Sequence, residues 1–506
     1  MPHPPGPSGT PVIVGLDLGT TTAKAVAYDE HSRVWADVSR EYPLHTPRPG
    51  YAEQDPGTVC DAALDVVTKA VAQVRSAGGA LSGVALSAAM HSLLALDENG
   101  APLTPALTYA DSRAAAEASR LRHDPAGIRL GQRTGTPLHP MSPLAKLLWF
   151  REHDRVTFDR ATSWVSLKEL LLRRLCGETV VDHSLASASG LFNLRERNWD
   201  ADALRLTSVD AGQLSRPVPT TTVLTGLDPA EARRCDLPAD LRVVVGAADG
   251  CLANLGAGAT AEGIAACTIG TSGAVRVATT TPDTDPHGRL FTYALTDDRW
   301  IVGGPISNGG LVLRWLRDAV LTDLTNAARG AGVDPYERMT AMAADVPAGS
   351  EGLLFLPYLT GERAPDWNAS ARGALLGLTL RHGRGHLIRS AMEGVLLQLR
   401  AVVEAMGALQ VSPSAFRATG GFTDSPLWLQ MMADVFRREI GVPDRAEGTA
   451  LGAALLGMVA LGTFTDIDEA AATVTVRAHR LPDAQTADVY DAVFDAFRAS
   501  SALRHC

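Results

Sequence analysis

Apolar runs and Gly/Thr-rich turns alternate in a pattern that occurs twice, once in each half of the chain. Residues 11–16 form an apolar run, the turn Asp17–Thr22 follows, and residues 25–28 are again mainly apolar. An apolar run, a tight turn and a second apolar run predict a β-hairpin. The same layout recurs at residues 264–277, around the turn Thr268–Gly273. The sequence therefore predicts two hairpins of the same kind.

Both predicted turns have the composition of a phosphate-binding loop. Glycine lets backbone N–H groups approach an anion closely, and neighbouring hydroxyls add donors without adding charge. One such turn alone is more often an ordinary hairpin turn, but two turns in register after strands favour a polyphosphate site. The residues expected to contact phosphate are Gly19, Thr20, Thr21, Thr22, Gly270, Thr271 and Ser272.

Strand-like and helix-like segments alternate through the rest of the chain, which predicts an α/β architecture. The expected strands lie at 83–87, 93–97 and 242–246, and the expected helices at 144–152, 167–175, 386–406, 426 onward and 448–456. A chain of 506 residues exceeds the size of a single core, so at least two domains are expected. The predicted divisions are a disordered tail at 1–10, an N-terminal domain at 11–250, a C-terminal domain at 251–480, and a C-terminal helix or tail at 481–506.

The composition limits the classes of partner and the kinds of site that the protein is expected to have. The net charge of -10 and the charged fraction of 20% are typical of a soluble globular protein and argue against nucleic acid or an anionic membrane as the main partner. The six cysteines are scattered and predict neither a zinc site nor a disulfide framework. No secretion signal or membrane-spanning apolar run is recognisable, so we expect a cytoplasmic protein. The oligomeric state is left open.

Two longer motifs make the chain similar to the FGGY carbohydrate kinases. The run Met141–His153 fits the first signature of that family, and the segment Gly373–Glu393 fits the second. The resemblance extends over roughly residues 11 to 480. It implies a two-lobed actin-like ATPase fold, related to ribonuclease H, with a central cleft. It also implies ATP and Mg²⁺ as cofactors and a small sugar-like molecule as acceptor.

Three further segments resemble family members that phosphorylate a sugar acid, gluconate in particular. They are residues 87–93, 134–143 and 361–368. Ala89 stands where members acting on xylulose usually have Gln, which disfavours xylulose. Tyr109 replaces a usual Trp and keeps an aromatic ring there. A kinase for xylulose or another small ketose or polyol remains the nearest alternative.

Functions outside the kinases are less compatible with the residues. An actin-like chaperone or filament protein would give no role to the pairs Met90–His91 and Asp111–Arg113. A sugar-sensing repressor would need a helix-turn-helix and a basic face. The Pro-rich stretch before Pro11 has no room for such a domain.

Asp249 is the candidate general base. It follows a predicted buried strand, lies between small residues and stands at the expected domain junction. A sugar hydroxyl needs a base and in-line positioning to attack a phosphoryl group. In an alternative interpretation Asp249 only caps the following helix.

Asp17 precedes the first glycine turn and, together with Asp249, is the candidate for holding Mg²⁺ directly or through water.

The resemblance assigns the remaining site residues. Gly420, Gly421 and Phe422 match the adenosine-binding turn of the family, although a Gly-Gly pair before a helix is often plain turn chemistry. For the acceptor, the matching residues are Met90, His91, Asp111 and Arg113. A carboxylate binds paired hydroxyls, and an arginine fork suits the carboxylate of a sugar acid.

Three residues of the family signatures are interpreted as mainly structural. Lys146 and Trp149 fall on adjacent turns of the helix that Ser142 and Pro143 open. Glu393 lies on a long apolar helix and would need a buried partner, which the sequence does not identify.

Overall fold

The computed structural model describes residues 7–444 and 448–500, which form two compact units. The first unit contains the described residues of 7–261, 278–302 and 448–474, and the second contains those of 262–277, 303–444 and 475–500. Residues 1–6 of the predicted tail and 501–506 of the predicted C-terminal segment lie outside the described residues. Among the described residues, no helix combines the length and apolar character needed to cross a membrane.

The first unit is built on a central mixed sheet of six strands. In spatial order these strands are Val223–Leu224, Val243–Ala248, Ala80–Ala88, Pro11–Leu18, Thr22–Tyr28 and Val34–Glu41. The strand Pro11–Leu18 pairs antiparallel with Thr22–Tyr28, so the first predicted hairpin is confirmed. It pairs parallel with Ala80–Ala88, which in turn pairs parallel with Val243–Ala248. These three parallel strands therefore end at the same edge of the sheet.

Helices and short strands surround this sheet. The helices of the first unit are Pro56–Ser76, Ala115–His123, Pro125–Thr134, Pro143–His153, Arg155–Arg160, Leu167–Cys176, His183–Ser187, Ala201–Thr207, Pro229–Arg234, Asp249–Gly256, Gly448–Ala460 and Ile467–Ala472, with a 3₁₀ turn at Ala211–Gln213. Its further strands are Glu53–Gln54, Leu94–Leu96, Ala106–Leu107, Ser163–Val165, Val180–Asp182, Phe192–Asn193, Asn198–Trp199, Arg216–Val218 and Phe291–Ala294.

The second unit has its own sheet. In spatial order its strands are Trp300–Ile306, Gly273–Thr279, Ile264–Ile269, Ala415–Thr419, Glu439–Pro443 and Val476–Arg480, and a separate hairpin joins Leu354–Leu356 to Ala374–Leu376. The antiparallel pairing of Ile264–Ile269 with Gly273–Thr279 confirms the second predicted hairpin. The helices are Leu311–Trp315, continued by a π-helical turn at Leu316–Val320, then Thr322–Gly330, Pro335–Ala344, Arg384–Met406, Pro426–Phe436 and Ala484–Ala499, with 3₁₀ turns at Ser350–Gly352, Gly407–Leu409 and Gly421–Asp424.

The predicted helices and strands are confirmed, with small differences at their ends. The strand expected at 242–246 continues to Ala248, so the next helix begins at Asp249. Ser425 caps the helix that begins at Pro426, and its side chain accepts a hydrogen bond from the backbone N–H of Trp428. This cap satisfies a donor that the first turn of the helix would otherwise leave unpaired.

The helix Gly448–Ala460 packs unusually close to the strand Pro11–Leu18. A Cβ atom added to Gly15 would lie only 2.0 Å from the carbonyl oxygen of Ala450. No side chain fits at that separation, so the strand and the helix touch backbone to backbone. The structure thus identifies this strand as a close packing partner of the helix, which is rich in small residues.

The same helix makes an equally close contact with the helix Asp249–Gly256. A Cβ atom at Gly452 would lie 2.0 Å from the carbonyl oxygen of Leu252, and one at Gly256 would lie 1.8 Å from the carbonyl oxygen of Gly448. Glycines on both helices therefore face the backbone of the other helix. One strand and two helices of the first unit are fixed against each other at distances that only glycine permits.

Replacing Gly452 by Ala is expected to destabilise the first unit. Helix propensity alone would favour this substitution by up to about 1 kcal/mol. The overlap with the Leu252 carbonyl is expected to outweigh that gain and to lower the free energy of unfolding by about 1–3 kcal/mol or more. Thermal unfolding of Gly452→Ala beside Gly212→Ala checks this, because Gly212 is exposed and a Cβ there would meet nothing within 4 Å. Equal melting temperatures would contradict the packing account.

Candidate active site

The register of the first sheet brings Asp17, the candidate metal ligand, and Asp249, the candidate general base, to one edge. Asp17 is paired with Ser87 on the neighbouring strand, and Ser87 is paired with Ala247 on the next. Adjacent strands lie about 4.8 Å apart, so these three residues span about 10 Å across the sheet. Asp249 follows two residues after Ala247, at the start of a helix. Asp17 and Asp249 therefore lie at the carboxyl ends of strands separated by one other strand.

Asp17 is held by two hydroxyl groups. The Ser87 hydroxyl donates to Oδ1 at 2.7 Å, and the Thr449 hydroxyl donates to Oδ2 at 2.9 Å. Burial raises the pKa of Asp17, and the two hydrogen bonds oppose that shift by stabilising the charged form. Each oxygen accepts one of these bonds and has a second lone pair, so the carboxylate suits a hard cation such as Mg²⁺.

Asp249 is the first residue of the helix Asp249–Gly256 and is half-buried. The capping position belongs to Ala248, and the Oδ1 atom of Asp249 accepts a hydrogen bond from the backbone N–H of Gly250 at 2.6 Å. Its carboxylate thus lies at the positive end of the helix dipole, which favours negative charge. A local role at the helix start is therefore present alongside the predicted catalytic role.

The first candidate phosphate loop is anchored by two side chains that bind its carbonyl groups. The Tyr42 hydroxyl donates to the Gly19 carbonyl at 2.6 Å, and the Gln54 amide donates to the Thr20 carbonyl at 2.7 Å. Within the loop, the Gly19 N–H donates to the Thr22 carbonyl at 2.9 Å. Thr21 is exposed, and Thr20 and Thr22 are partly so. The loop is therefore fixed through its carbonyl groups, while its threonine side chains are accessible from solvent.

The second predicted loop is held by backbone groups rather than by side chains. The Gly270 N–H donates to the Ser272 carbonyl at 2.8 Å, and the Gly310 N–H donates to the Gly270 carbonyl at 2.7 Å. The Gly309 N–H also donates to the Thr271 carbonyl at 3.2 Å. A Cβ atom at Gly309 would lie 2.4 Å from the Ser272 carbonyl oxygen. The backbone of residues 309–310 thus holds the second loop, a role that the hairpin pattern did not indicate.

A cavity of about 760 Å³ lies beside the second loop within the second unit. Its lining includes Gly270, Thr271, Arg314, Tyr336, Gly421, Phe422 and Trp428. The volume falls in the range of pockets for nucleotide-sized ligands. Gly420 shapes the adjacent turn, since its φ is +106° and a Cβ there would lie 2.3 Å from the Ile269 carbonyl oxygen. The structure thus brings the second phosphate loop and the Gly-Gly turn to one cavity.

The candidate acceptor residues lie in the first unit. Met90, Thr20 and Tyr109 line one narrow cavity, so the first phosphate loop and the acceptor motif meet there. His91 has a φ of +69°, and its Nδ1 atom lies 2.9 Å from the Ala188 carbonyl oxygen. A non-glycine residue with positive φ is uncommon, and such strain is typical of functional loops.

Lys146 holds the segments at His91 and Thr108 in place from the interior. Its ammonium donates to the carbonyl oxygens of His91 at 2.6 Å and Thr108 at 2.8 Å, with a longer contact to Leu107 at 3.4 Å. Burial lowers the pKa of Lys146 to about 7, because the charged form loses its hydration. Lys146 thus links the segment at His91 to the segment at Leu107 and Thr108, which is a structural role.

Asp111 and Arg113 form a buried pair. The Arg113 guanidinium donates to both Asp111 oxygens, at 2.9 and 2.7 Å, and also to Glu53. It stacks 3.8 Å from the ring centre of Tyr51, with Trp149 at 5.1 Å. The Arg113 side chain is only 6% exposed. In the described structure Arg113 therefore binds two protein carboxylates, and its contact with the carboxylate of a sugar acid stays a prediction.

Glu393 has the buried partners that its position on an apolar helix required. It accepts hydrogen bonds from Arg389 Nε at 3.1 Å, the Ser350 hydroxyl at 2.7 Å and the Tyr490 hydroxyl at 3.1 Å. Burial raises the pKa of Glu393, and the bond from Ser350 opposes that shift. The cluster joins the helix Arg384–Met406 to the helix Ala484–Ala499, which is a structural role.

Replacing Lys146 by Met is expected to loosen the two chain segments that contain His91 and Thr108. The carbonyl oxygens of His91 and Thr108 would lose their donor in the interior, which costs about 1–3 kcal/mol. Denaturant unfolding and the KM of the acceptor report the two consequences, lower stability and a higher KM. The matched control is Lys69→Met, since Lys69 is 58% exposed and its surface pair with Asp65 contributes about 0–1 kcal/mol. Indistinguishable variants would contradict the assigned role.

Comparisons with known proteins agree with this arrangement. Models of the FGGY family of carbohydrate kinases match residues 12–256 with the N-terminal domain and residues 265–461 with the C-terminal domain. A gluconokinase from Bacillus subtilis is 42% identical over 460 residues, which cover 91% of this chain and 89% of the relative.

Two solved structures share the fold over nearly their whole length. A gluconate kinase from Lactobacillus acidophilus matches with a TM-score of 0.91 and 31% identity, covering 98% of each chain. A ligand-bound xylulose kinase from the same organism also has a TM-score of 0.91 and 31% identity, covering 97% of this chain and 98% of that one. The chaperone, filament and repressor alternatives find no support in these matches. The chain belongs to the FGGY family of carbohydrate kinases and has the two-domain α/β fold of that family.

Proposed function

We propose that this carbohydrate kinase transfers the γ-phosphoryl group of ATP to the terminal hydroxyl of D-gluconate, giving 6-phospho-D-gluconate and ADP. The observation that carries the chemistry is the strand register that brings Asp17 and Asp249 to one edge of the first sheet. The choice of acceptor is supported by the 42% identity to a gluconokinase over 91% of the chain. The fold alone does not favour gluconate, because the matched xylulose kinase is equally similar.

Asp249 acts as the general base in this proposal. Its carboxylate accepts the proton of the terminal hydroxyl while the hydroxyl oxygen forms a bond to the γ-phosphorus. The bond between that phosphorus and the bridging oxygen breaks, and ADP leaves with the electron pair. The half-buried position of Asp249 at a helix start supports an ionised carboxylate that is accessible to substrate.

Mg²⁺ would be held by Asp17, directly or through water, with Asp249 as a second carboxylate. The donor set fits a hard cation, because both oxygens of Asp17 are oriented by hydroxyl donors and keep a lone pair each. The bound ion would supply charge neutralisation on the phosphate oxygens. The Ser87 and Thr449 hydroxyls keep the Asp17 carboxylate in one orientation.

The remaining residues bind the two substrates. The N–H and hydroxyl groups of residues 19–22 and 270–272 donate to phosphate oxygens. Gly421 and Phe422 receive the adenosine in the cavity of the second unit, with Gly420 shaping the turn. Met90, His91, Asp111 and Arg113 bind the acceptor. The free cysteines among the described residues support a reducing, cytoplasmic site of action.

An acceptor panel tests the proposal most simply. We expect ATP-dependent release of ADP to have a kcat/KM for gluconate at least about 100-fold above those for xylulose, ribulose and glycerol. The product with gluconate should carry phosphate on its terminal carbon, which ³¹P NMR identifies. A preference for xylulose would move the chain to the nearest alternative, and the absence of acceptor-stimulated turnover would contradict the kinase proposal.

Replacing Ser87 by Ala tests the metal assignment. The loss of one hydroxyl donor leaves Asp17 less well oriented, so the Mg²⁺ concentration for half-maximal rate should rise about 10-fold or more. Initial rates measured against Mg²⁺ at saturating substrates give this value. The control Ser39→Ala removes an exposed serine from the same sheet and should leave the Mg²⁺ dependence unchanged. An unaltered Mg²⁺ requirement in Ser87→Ala would argue against Asp17 as the ligand.

A further inference from the structure

A fully buried ion pair lies behind the strand that leads to Asp249. The Lys168 ammonium is 2.5 Å from Oδ2 of Asp182, and the two side chains are 1% and 0% exposed. Removing both charges from water is costly, and well-packed apolar residues often replace such a pair without loss of stability. The contacts that the pair makes with its surroundings indicate a role other than stabilising the fold.

Lys168 contacts the backbone just before Asp249. Its ammonium donates a hydrogen bond to the carbonyl oxygen of Ala247 at 3.2 Å. Because Ala247 is two residues ahead of Asp249, the cation fixes the direction in which the strand ends.

Asp182 reaches the same segment from its other oxygen. Its Oδ1 atom accepts a hydrogen bond from the Leu185 N–H at 2.8 Å and so caps the helix His183–Ser187. Ser184, on the first turn of that helix, accepts a hydrogen bond from the Ala248 N–H at 3.2 Å through its hydroxyl. Side chains joined through Asp182 thus bind both ends of one peptide unit, the carbonyl group of Ala247 and the N–H group of Ala248.

The strand needs this support because its ladder is irregular there. Its pairing with the strand Ala80–Ala88 shifts register between Val244 and Ala247. Gly246 has a φ of +74°, and a Cβ there would lie 1.7 Å from the Leu86 carbonyl oxygen. An interrupted ladder fixes the direction of the chain less firmly than a regular one.

We infer that Lys168, Asp182 and Ser184 are positioning residues for Asp249. They hold the peptide unit between Ala247 and Ala248 so that the carboxylate of Asp249 meets the acceptor hydroxyl. This inference rests on the proposed role of Asp249 as the base. A displacement of about 1 Å at a reacting group can cost about 100-fold in rate, so a contact behind the strand can control turnover.

Ser184→Ala is the most informative variant, because it removes one acceptor without leaving a buried charge unpaired. We expect kcat to fall about 10-fold or more, with the KM values for gluconate and ATP within about twofold of wild type. The matched control is Ser187→Ala. Ser187 lies on the same helix and is equally buried, but its hydroxyl accepts from the Ala294 N–H at 3.0 Å on a different strand.

Ser187→Ala should lose comparable stability and keep its kcat, which separates positioning from a general loss of structure. Lys168→Arg gives a second test, since it keeps the charge opposite Asp182 while moving the donor relative to Ala247. The larger guanidinium is also expected to lower the melting temperature, so the kcat of this variant is compared with that of Ser187→Ala and should be the lower of the two. Equal kcat values for Ser184→Ala, Lys168→Arg and wild type would overturn the inference.

The variant Asp249→Asn distinguishes failure of the inference from failure of the proposed function. A general base contributes about 100- to 10,000-fold to the rate, so Asp249→Asn should lose that much kcat. If Asp249→Asn is inactive while Ser184→Ala is unaffected, only the positioning role is wrong. If Asp249→Asn retains wild-type turnover, the base assignment is wrong, and the positioning role falls with it.

Discussion

Contact between backbones through glycine is the constraint on which the active site of the first unit depends. The helix Gly448–Ala460 touches the strand Pro11–Leu18 at Gly15 and touches the helix Asp249–Gly256 at Gly256 and Gly452. A Cβ atom at any of these positions would lie 1.8 to 2.0 Å from a backbone carbonyl oxygen, so the elements would have to move apart. The same packing brings the Thr449 hydroxyl to Asp17, so a residue far along the chain completes the candidate metal site.

Buried lysines form a second layer of support. The chain has only Lys24, Lys69, Lys146 and Lys168 as lysines. Both buried lysines, Lys146 and Lys168, donate to backbone carbonyl groups beside functional loops. An ammonium is a compact charge with three donors, so it can bind several carbonyl oxygens that do not lie in one plane, which the planar guanidinium of arginine does less readily. This geometry suits Lys146, whose ammonium contacts the carbonyl oxygens of His91, Leu107 and Thr108.

Much of the fold was predictable because its signals are local. The two hairpins, the strand before Asp249 and the cap at Ser425 each depend on residues that are adjacent in sequence. The contacts that complete the site join distant segments. Thr449 and Ser87 reach Asp17 only through packing and strand register, and no local pattern contains that information.

The candidate acceptor site also contains contacts that the sequence did not predict. The family resemblance identified Asp111 and Arg113, but it did not identify Glu53 as a second partner of Arg113. Likewise Tyr42 directly follows a strand and Gln54 lies in the short strand Glu53–Gln54, and no local pattern indicates that these two residues anchor the first candidate phosphate loop.

The most direct test of the central claim is a crystal structure of the chain with gluconate, Mg²⁺ and a non-hydrolysable ATP analogue. The account predicts that a carboxylate oxygen of Asp249 lies about 2.6–3.2 Å from the terminal hydroxyl of gluconate. It also predicts that Asp17 binds the metal ion directly or through one water. A complex in which another side chain receives that hydroxyl, with Asp249 turned away from the acceptor, would contradict it.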